Sequence, residues 1–291
     1  MIIDPTSVIL PDTGVILGNE SDNTLTADTS GTDSIIVGKG GDDVLTGNSG
    51  DDILSGGSGN DVLNGGEGND ILTAGGGDDT VIASVGNDIY VGGSGFDTLD
   101  FSHATAGLVI DMSKGTATSA GTATGFNTSF DSFEKVIGTN FADTITGSKD
   151  ADVIDGGRGN DTIRSMAGAD TLTGGEGHDT FVYFKKDVML PNGVHQGVDT
   201  ITDFGGSDTI DLHDFFKDLN LKAKDAGNVI HLTDVADDAT TGTIGGTMVS
   251  AKLGGAFVDV ALLQGQHLHT DPQVLPAVQV AHLASDGMFV L

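Results

Sequence analysis

From Gly38 to Asp100 a large apolar residue falls at every ninth position: Leu45, Leu54, Leu63, Leu72, Val81, Tyr90 and Leu99. Gly, Asp and Asn dominate the residues between them. The spacing returns from Gly138 to Val182 at Ile145, Ile154, Ile163, Leu172 and Phe181. A nonapeptide such as GGSGNDVLN divides into six residues rich in Gly and Asp, which make a turn, and three that make a short strand. Side chains alternate across a strand, so the middle residue of the three points inward. Successive strands go to opposite sheets, two nonapeptides complete one coil, and coils stack about 4.8 Å apart. The pattern predicts an all-β, parallel β-roll built from tandem repeats.

Looser copies around Asn23 to Thr26 and Asp33 to Ile36 place the start of the array near residue 18, after a short lead-in over 1–17. The 37 residues from 101 to 137 break the nine-residue count but keep β-branched runs such as Leu108 to Ile110, and read as two enlarged coils of about 18 residues in one continuous roll over 18–184. Beyond residue 184 the punctuation changes. DTITDFGGSDTIDL has strand and turn character, HDFFKDL suits a short helix, and apolar runs alternate with Gly turns from 228 onward, so 185–291 reads as a β-rich terminal region.

Composition sharpens this picture. The formal net charge is −31, which excludes nucleic acid as a natural partner. Of the 43 acidic residues only Glu20, Glu67, Glu134 and Glu176 are Glu; the rest are Asp, which tolerates turns and is a hard oxygen ligand for calcium. Stacked turns would set like charges about 4.8 Å apart, a repulsion of roughly 0.9 kcal/mol per pair even in water, so a folded roll needs counter-cations. With no Cys, disulfides cannot act as the staple. The opening MIIDPTSVILPDTG has neither a basic n-region nor a cleavable apolar core, and no run approaches the roughly 18 apolar residues of a membrane helix.

Twelve tandem nonapeptides of the form G-G-x-G-x-D-x-U-x, where U is large and apolar, resemble the RTX family of calcium-binding repeats. The resemblance implies a right-handed parallel β-roll in which each calcium sits between two turns on one side of the roll. Its carboxylate ligands would be Asp43, Asp52, Asp61, Asp70, Asp79, Asp88 and Asp97 in the first block and Asp161, Asp170 and Asp179 in the second. Turn backbone at Gly41, Gly50, Gly57, Gly59, Gly66, Gly68, Gly77, Gly157, Gly159, Gly175 and Gly177 would complete the sites. Glycine at the fourth position, from Gly41 to Gly95 in all seven repeats of the first block, fits backbone that needs positive φ. In the second block Phe141 and Asp150 stand there, so the turns of Asp143 and Asp152 are expected to bind calcium poorly or not at all. Pairing turns two repeats apart gives roughly six to eight ions. At a dissociation constant near 10⁻⁴ M, about 1 mM calcium contributes roughly 1.4 kcal/mol per site and on the order of 10 kcal/mol in all, whereas intracellular calcium contributes almost none.

The residues carry no HExxH, no GxSxG and no Cys nucleophile, and His267 and His269 lack a third zinc ligand. No catalytic residue or other cofactor is assigned. The tail, ending in DGMFVL, resembles the C-terminal region of RTX proteins exported by the type I secretion machinery of Gram-negative bacteria. The expectation is a secreted, extracellular or cell-surface protein that folds on calcium and acts without catalysis in a matrix, coat or adhesion. The alternative is a secretion and folding module of a larger enzyme such as a protease, lipase or polysaccharide-modifying enzyme. Ile53, Ile71, Ile89 and Val91 form an outward β-branched stripe, explained by strand propensity or by docking of a protein or surface glycan.

Overall fold

The computed structural model describes residues 8–10, 14–27, 31–121, 125–188, 197–205, 208–212, 230–235, 246–253 and 256–264. The chain divides into two compact units, Met1–Asp143 and Thr144–Leu291. Among the described residues no helix is long and apolar enough to cross a membrane.

In the first unit the strands alternate between two parallel ladders, as the nine-residue period demands. One ladder stacks Val15–Leu17, Ile35–Gly40, Ile53–Ser58, Ile71–Gly76 and Ile89–Ser94, with Val8–Leu10 added antiparallel at its start. The other stacks Thr24–Thr26, Val44–Thr46, Val62–Asn64, Thr80–Ile82 and Thr98–Asp100. Register holds the inward residues in line: Ile36, Leu54, Leu72 and Tyr90 on the first ladder, Leu25, Leu45, Leu63, Val81 and Leu99 on the second. All are at most 2% exposed. Burying such a side chain contributes roughly 1.5–3 kcal/mol, so the two files form a continuous core that no single repeat could build alone.

The segment 101–137 forms a different excursion from the two enlarged coils read in the sequence. Leu108–Asp111, Thr116–Ser119 and Asn127–Asp131 make an antiparallel meander, and the last of these returns parallel to Ile89–Ser94 with Tyr90 opposite Phe130. Lys135–Ile137 rejoins the second ladder beside Thr98–Asp100. One coil is therefore lengthened, and its extra space is filled by edge-to-face contacts of Phe101 with Phe126 and Phe130, and of Phe130 with Phe133, at centroid distances of 6.1, 6.5 and 6.2 Å.

The second unit repeats the alternation. Thr144–Thr146, Thr162–Arg164, Thr180–Val182 and Thr209–Asp211 form one parallel ladder. Val153–Asp155, Thr171–Thr173 and Asp199–Ile201 form the other, which Ala256–Gln264 extends in parallel before Gly246–Leu253 and Ile230–Val235 close it antiparallel. Ile145, Ile154, Ile163, Leu172 and Phe181 are buried, as their position predicts. Coil geometry continues past residue 184, because Ile201 and Ile210 stand opposite Leu172 and Phe181. The intervening residues include one helical turn, Lys185–Val188, tied down by a bidentate ion pair from Arg164 Nε and Nη2 to Asp187 at 2.9 and 2.8 Å. The segment read as HDFFKDL, His267, His269 and the final 27 residues lie outside the described residues.

Candidate metal centre

Glycine-rich turns connect the strands, and their shape follows from close stacking. At Gly57 and Gly59 φ is 123° and 118°, and a Cβ on either would collide with the carbonyl oxygen of Lys39 or Gly41 in the preceding coil. Only a residue without a side chain accepts both constraints at no cost. Each of the eleven glycines implied by the resemblance has positive φ. Lys39, Asn48 and Met166 take the same left-handed conformation at the second position of their turns, with φ of 87°, 74° and 75°, which is uncommon for residues bearing a side chain. Gly86, grouped with the permissive glycines in the sequence, does not adopt positive φ.

All ten candidate aspartates are buried, at no more than 1% exposure. They form ladders. Asp61 Oδ1 accepts the Asp43 N–H at 2.8 Å, Asp79 Oδ1 accepts the Asp61 N–H at 2.7 Å, and Asp97 Oδ1 accepts the Asp79 N–H at 2.9 Å. On the other side Asp52, Asp70 and Asp88 accept from Ser34, Asp52 and Asp70 in the same way. In the second unit Asp170 and Asp179 accept from Asp152 and Asp161. One carboxylate oxygen of each is thereby satisfied by backbone one coil away.

The other oxygen decides the chemistry. Oδ2 of Asp43, Asp52, Asp61, Asp70, Asp79, Asp97, Asp170 and Asp179 is buried and accepts no hydrogen bond. Several of them lie beside a backbone carbonyl oxygen. The place a Cβ would occupy at Gly38 lies against both Asp43 Oδ2 and the Gly56 carbonyl oxygen; at Gly47 the pair is Asp52 Oδ2 and Gly65 oxygen, and at Gly56 it is Asp61 Oδ2 and Ala74 oxygen. At Gly156 the corresponding place is 2.6 Å from both Asp161 Oδ2 and the Gly174 oxygen. A buried carboxylate oxygen without a donor is costly, and one facing a carbonyl asks for a cation. Among the described residues no three His, Asp or Glu side chains gather as a metal cluster, so backbone oxygens must supply most of the coordination. Calcium accepts such a mixed oxygen set in flexible geometry, and the residues fit it.

Burial without compensation raises the carboxyl pKa values. Asp52, Asp61, Asp70 and Asp97 are pushed from 3.8 to about 6, chiefly by desolvation, against the lowering effect of the backbone hydrogen bond each accepts. Asp43, Asp79 and Asp179 move in the same direction for the same first cause. Asp170 is raised by burial and then by the charge of Asp199.

The turns without glycine at the fourth position are built differently. Asp143 Oδ2 accepts the Thr139 N–H at 2.6 Å, while its Oδ1 accepts the Leu108 N–H at 2.6 Å and the Thr139 hydroxyl at 3.1 Å. Asp152 accepts the Ser148 N–H at 2.6 Å and its hydroxyl at 3.0 Å. A hydroxyl residue at the second position folds the turn back onto its own carboxylate. Asp88 also departs from its neighbours, because its Oδ2 accepts the Tyr90 hydroxyl at 2.7 Å.

A family model of the RTX calcium-binding nonapeptide repeat matches four stretches of the chain, residues 28–63, 64–99, 137–172 and 156–182. In these stretches the chain carries RTX calcium-binding nonapeptide repeats. RTX nonapeptide repeats bind calcium, and the turns described above are the matched segments. No curated protein matches the chain.

Several residues of these turns were not legible in the repeat pattern alone. Asp199 and Asp208 occupy sixth positions in two further repeats, and their Oδ1 atoms accept the N–H groups of Asp170 and Asp179, each at 3.1 Å. The signals were QGVDTIT and GGSDTID, displaced from the nine-residue count by the insertion before them. Asp203 accepts the N–H groups of Gly174 and Gly175 at 2.9 and 2.8 Å. A second, outer ladder runs through the fifth positions: Asp42, Asp51, Asn60, Asn69 and Asp78 each accept an N–H from the coil 18 residues ahead, until Phe96, which has no acceptor. On the outward face Ile53, Ile71 and Ile89 are 43–45% exposed, and Ile35 at 41% extends the row. Val91 is only partly exposed.

Proposed function

We propose that this RTX repeat protein is a secreted calcium-binding protein that folds when it meets extracellular calcium and acts without catalysis in a matrix, surface coat or adhesion. The observation that carries the reading is the register of buried Oδ2 atoms that no donor satisfies, with those of Asp43, Asp52 and Asp61 set beside a backbone carbonyl oxygen of the neighbouring coil. Asp43, Asp52, Asp61, Asp70, Asp79 and Asp97 in the first unit, with Asp161, Asp170 and Asp179 in the second, are the proposed carboxylate ligands. The turns of Asp143 and Asp152 take none. RTX repeats are generally associated with secreted proteins of Gram-negative bacteria, which supports export by a type I machinery.

Bound calcium would supply the positive charge and oxygen coordination that these turns lack. The chain's residues do the rest: glycines let the coils approach, Oδ1 fixes each carboxylate to the neighbouring backbone, and burial keeps Oδ2 from finding water as a substitute. Inside a cell, at sub-micromolar calcium, the same carboxylates oppose folding and leave the chain in a form a secretion channel can thread. Far-ultraviolet circular dichroism tests this directly. Little β signal in chelator, a cooperative gain in millimolar calcium and poor substitution by magnesium are expected, since magnesium demands rigid octahedral geometry. A full β spectrum in excess chelator would refute the reading.

A further inference from the structure

Tyr90 stands in the inward slot that Leu, Ile or Val fills in the neighbouring repeats, and it is fully buried opposite Leu72 and Phe130. Its ring continues the core, but its hydroxyl reaches into the turn before it. Tyr90 Oη donates to Asp88 Oδ2 at 2.7 Å and accepts the Ser84 N–H at 3.0 Å. In the six other complete turns of this block the corresponding oxygen, on Asp43, Asp52, Asp61, Asp70, Asp79 and Asp97, has no donor. The turn backbone differs too: neither Ser84 nor Gly86 takes the left-handed conformation found at both second and fourth positions in the turns around Gly57 and Gly66.

We propose that the Tyr90 hydroxyl occupies the cation position of the turn 83–88, so that this one turn of the block closes without calcium. A phenol proton delivered to Oδ2 satisfies the oxygen that calcium satisfies elsewhere, and the tether is covalent. Burial and the adjacent Asp88 charge keep the phenol protonated, so it remains a donor. The position of the substitution is consistent with a purpose. The strand of Tyr90 is the last of its ladder before the excursion, with Phe130 in the next register position in place of another nonapeptide. A coil that must receive an irregular segment gains from closure that does not depend on a neighbouring regular turn.

The inference rests on the reading that the other turns take calcium, and the test separates the two. Native mass spectrometry in calcium counts the ions bound by the wild-type chain, by Tyr90→Phe and by the double variant Tyr90→Phe, Asp88→Asn. Removing the hydroxyl while keeping the ring should add one ion, and removing the carboxylate as well should return the count to the wild-type value. An unchanged count in Tyr90→Phe overturns the proposal. Should Tyr90→Phe fail to fold, Asp88→Asn in the wild-type background decides: an unchanged count supports the proposal, and loss of an ion overturns it. A wild-type chain that binds no calcium overturns the functional reading itself, and this inference with it.

Discussion

Asp61→Asn is the substitution that isolates what calcium does in this fold. Asparagine keeps the Oδ1 acceptor for the Asp43 N–H, and its own N–H still donates to Asp79 Oδ1, so the backbone ladder survives. Only the charge and the unsatisfied Oδ2 are lost, replaced by an amide N–H that faces the Ala74 carbonyl. Without calcium the change should help: a carboxyl held at about 6 instead of 3.8 costs on the order of 2–3 kcal/mol while ionised at pH 7, and the amide does not bear it. With calcium it should hurt. Each ion contributes about 1.4 kcal/mol for every tenfold rise in free calcium above its dissociation constant, so loss of one site removes that much from the slope.

The assay is thermal unfolding followed by circular dichroism over two decades of free calcium. Asp61→Asn should show a slope smaller by about one ion and a melting temperature in millimolar calcium lower by several degrees. Asp143→Asn provides the contrast. There the new amide would meet the Thr139 N–H, donor against donor, and stability should fall by roughly 1–3 kcal/mol at every calcium level with the slope unchanged. Equal slopes for wild type and Asp61→Asn, or equal losses of slope in both variants, would refute the distinction between turns that need a cation and turns that satisfy themselves.

Two further outcomes follow from the same geometry. Asp52, Asp61, Asp70 and Asp97 have folded pKa values of about 6, above an ordinary 3.8, so the folded state holds more protons in that interval and calcium-free stability rises as pH falls from 7 toward 4. The β signal in chelator should therefore grow on acidification, while the calcium midpoint moves to higher calcium below about pH 6 because protons compete for the same oxygens; a chelated spectrum flat across that range would contradict this. Asp187→Asn breaks the bidentate pair with Arg164, whose guanidinium also lies 4.3 Å from the Phe184 ring centroid. The melting temperature of that variant should fall by the equivalent of about 3 kcal/mol with no change in calcium slope, and a change in slope would tie the helical turn to ion binding.

The core was legible because one period controls it. Every residue placed inward by the nine-residue count, from Leu45 to Phe181, is buried, since a slip of one position would turn each side chain to the opposite face. The sixth-position aspartates were legible for the same reason. Other features depend on contacts that the count does not encode. The fifth-position ladder of Asp42, Asp51, Asn60 and Asn69 looked like free choice among polar residues, although only a short side chain with an acceptor reaches the next coil's N–H. Asp199 and Asp208 were hidden because an insertion moves their partners to 29 residues away, where the regular coil has 18. Tyr90 was counted among the apolar residues, and the reach of its hydroxyl emerges only once the turn is folded.

These omissions share a physical cause, and it bears on how such a roll assembles. A buried carboxylate can be satisfied by a cation, by its own turn or by a tethered hydroxyl, and the three solutions look alike at the level of a repeated Asp. Thr139 and Ser148 supply the second solution and Tyr90 the third. They occur in the turns just before and just after the 101–137 excursion, where the regular nonapeptide count is interrupted. The turns proposed to take calcium fill the regular stretches, where each Asp Oδ1 already accepts an N–H from the preceding coil and a single ion could join two coils at once. Self-satisfied turns thus give the coils beside the excursion local closure that is independent of calcium, and on the function proposed above the regular coils are the part whose folding waits for it.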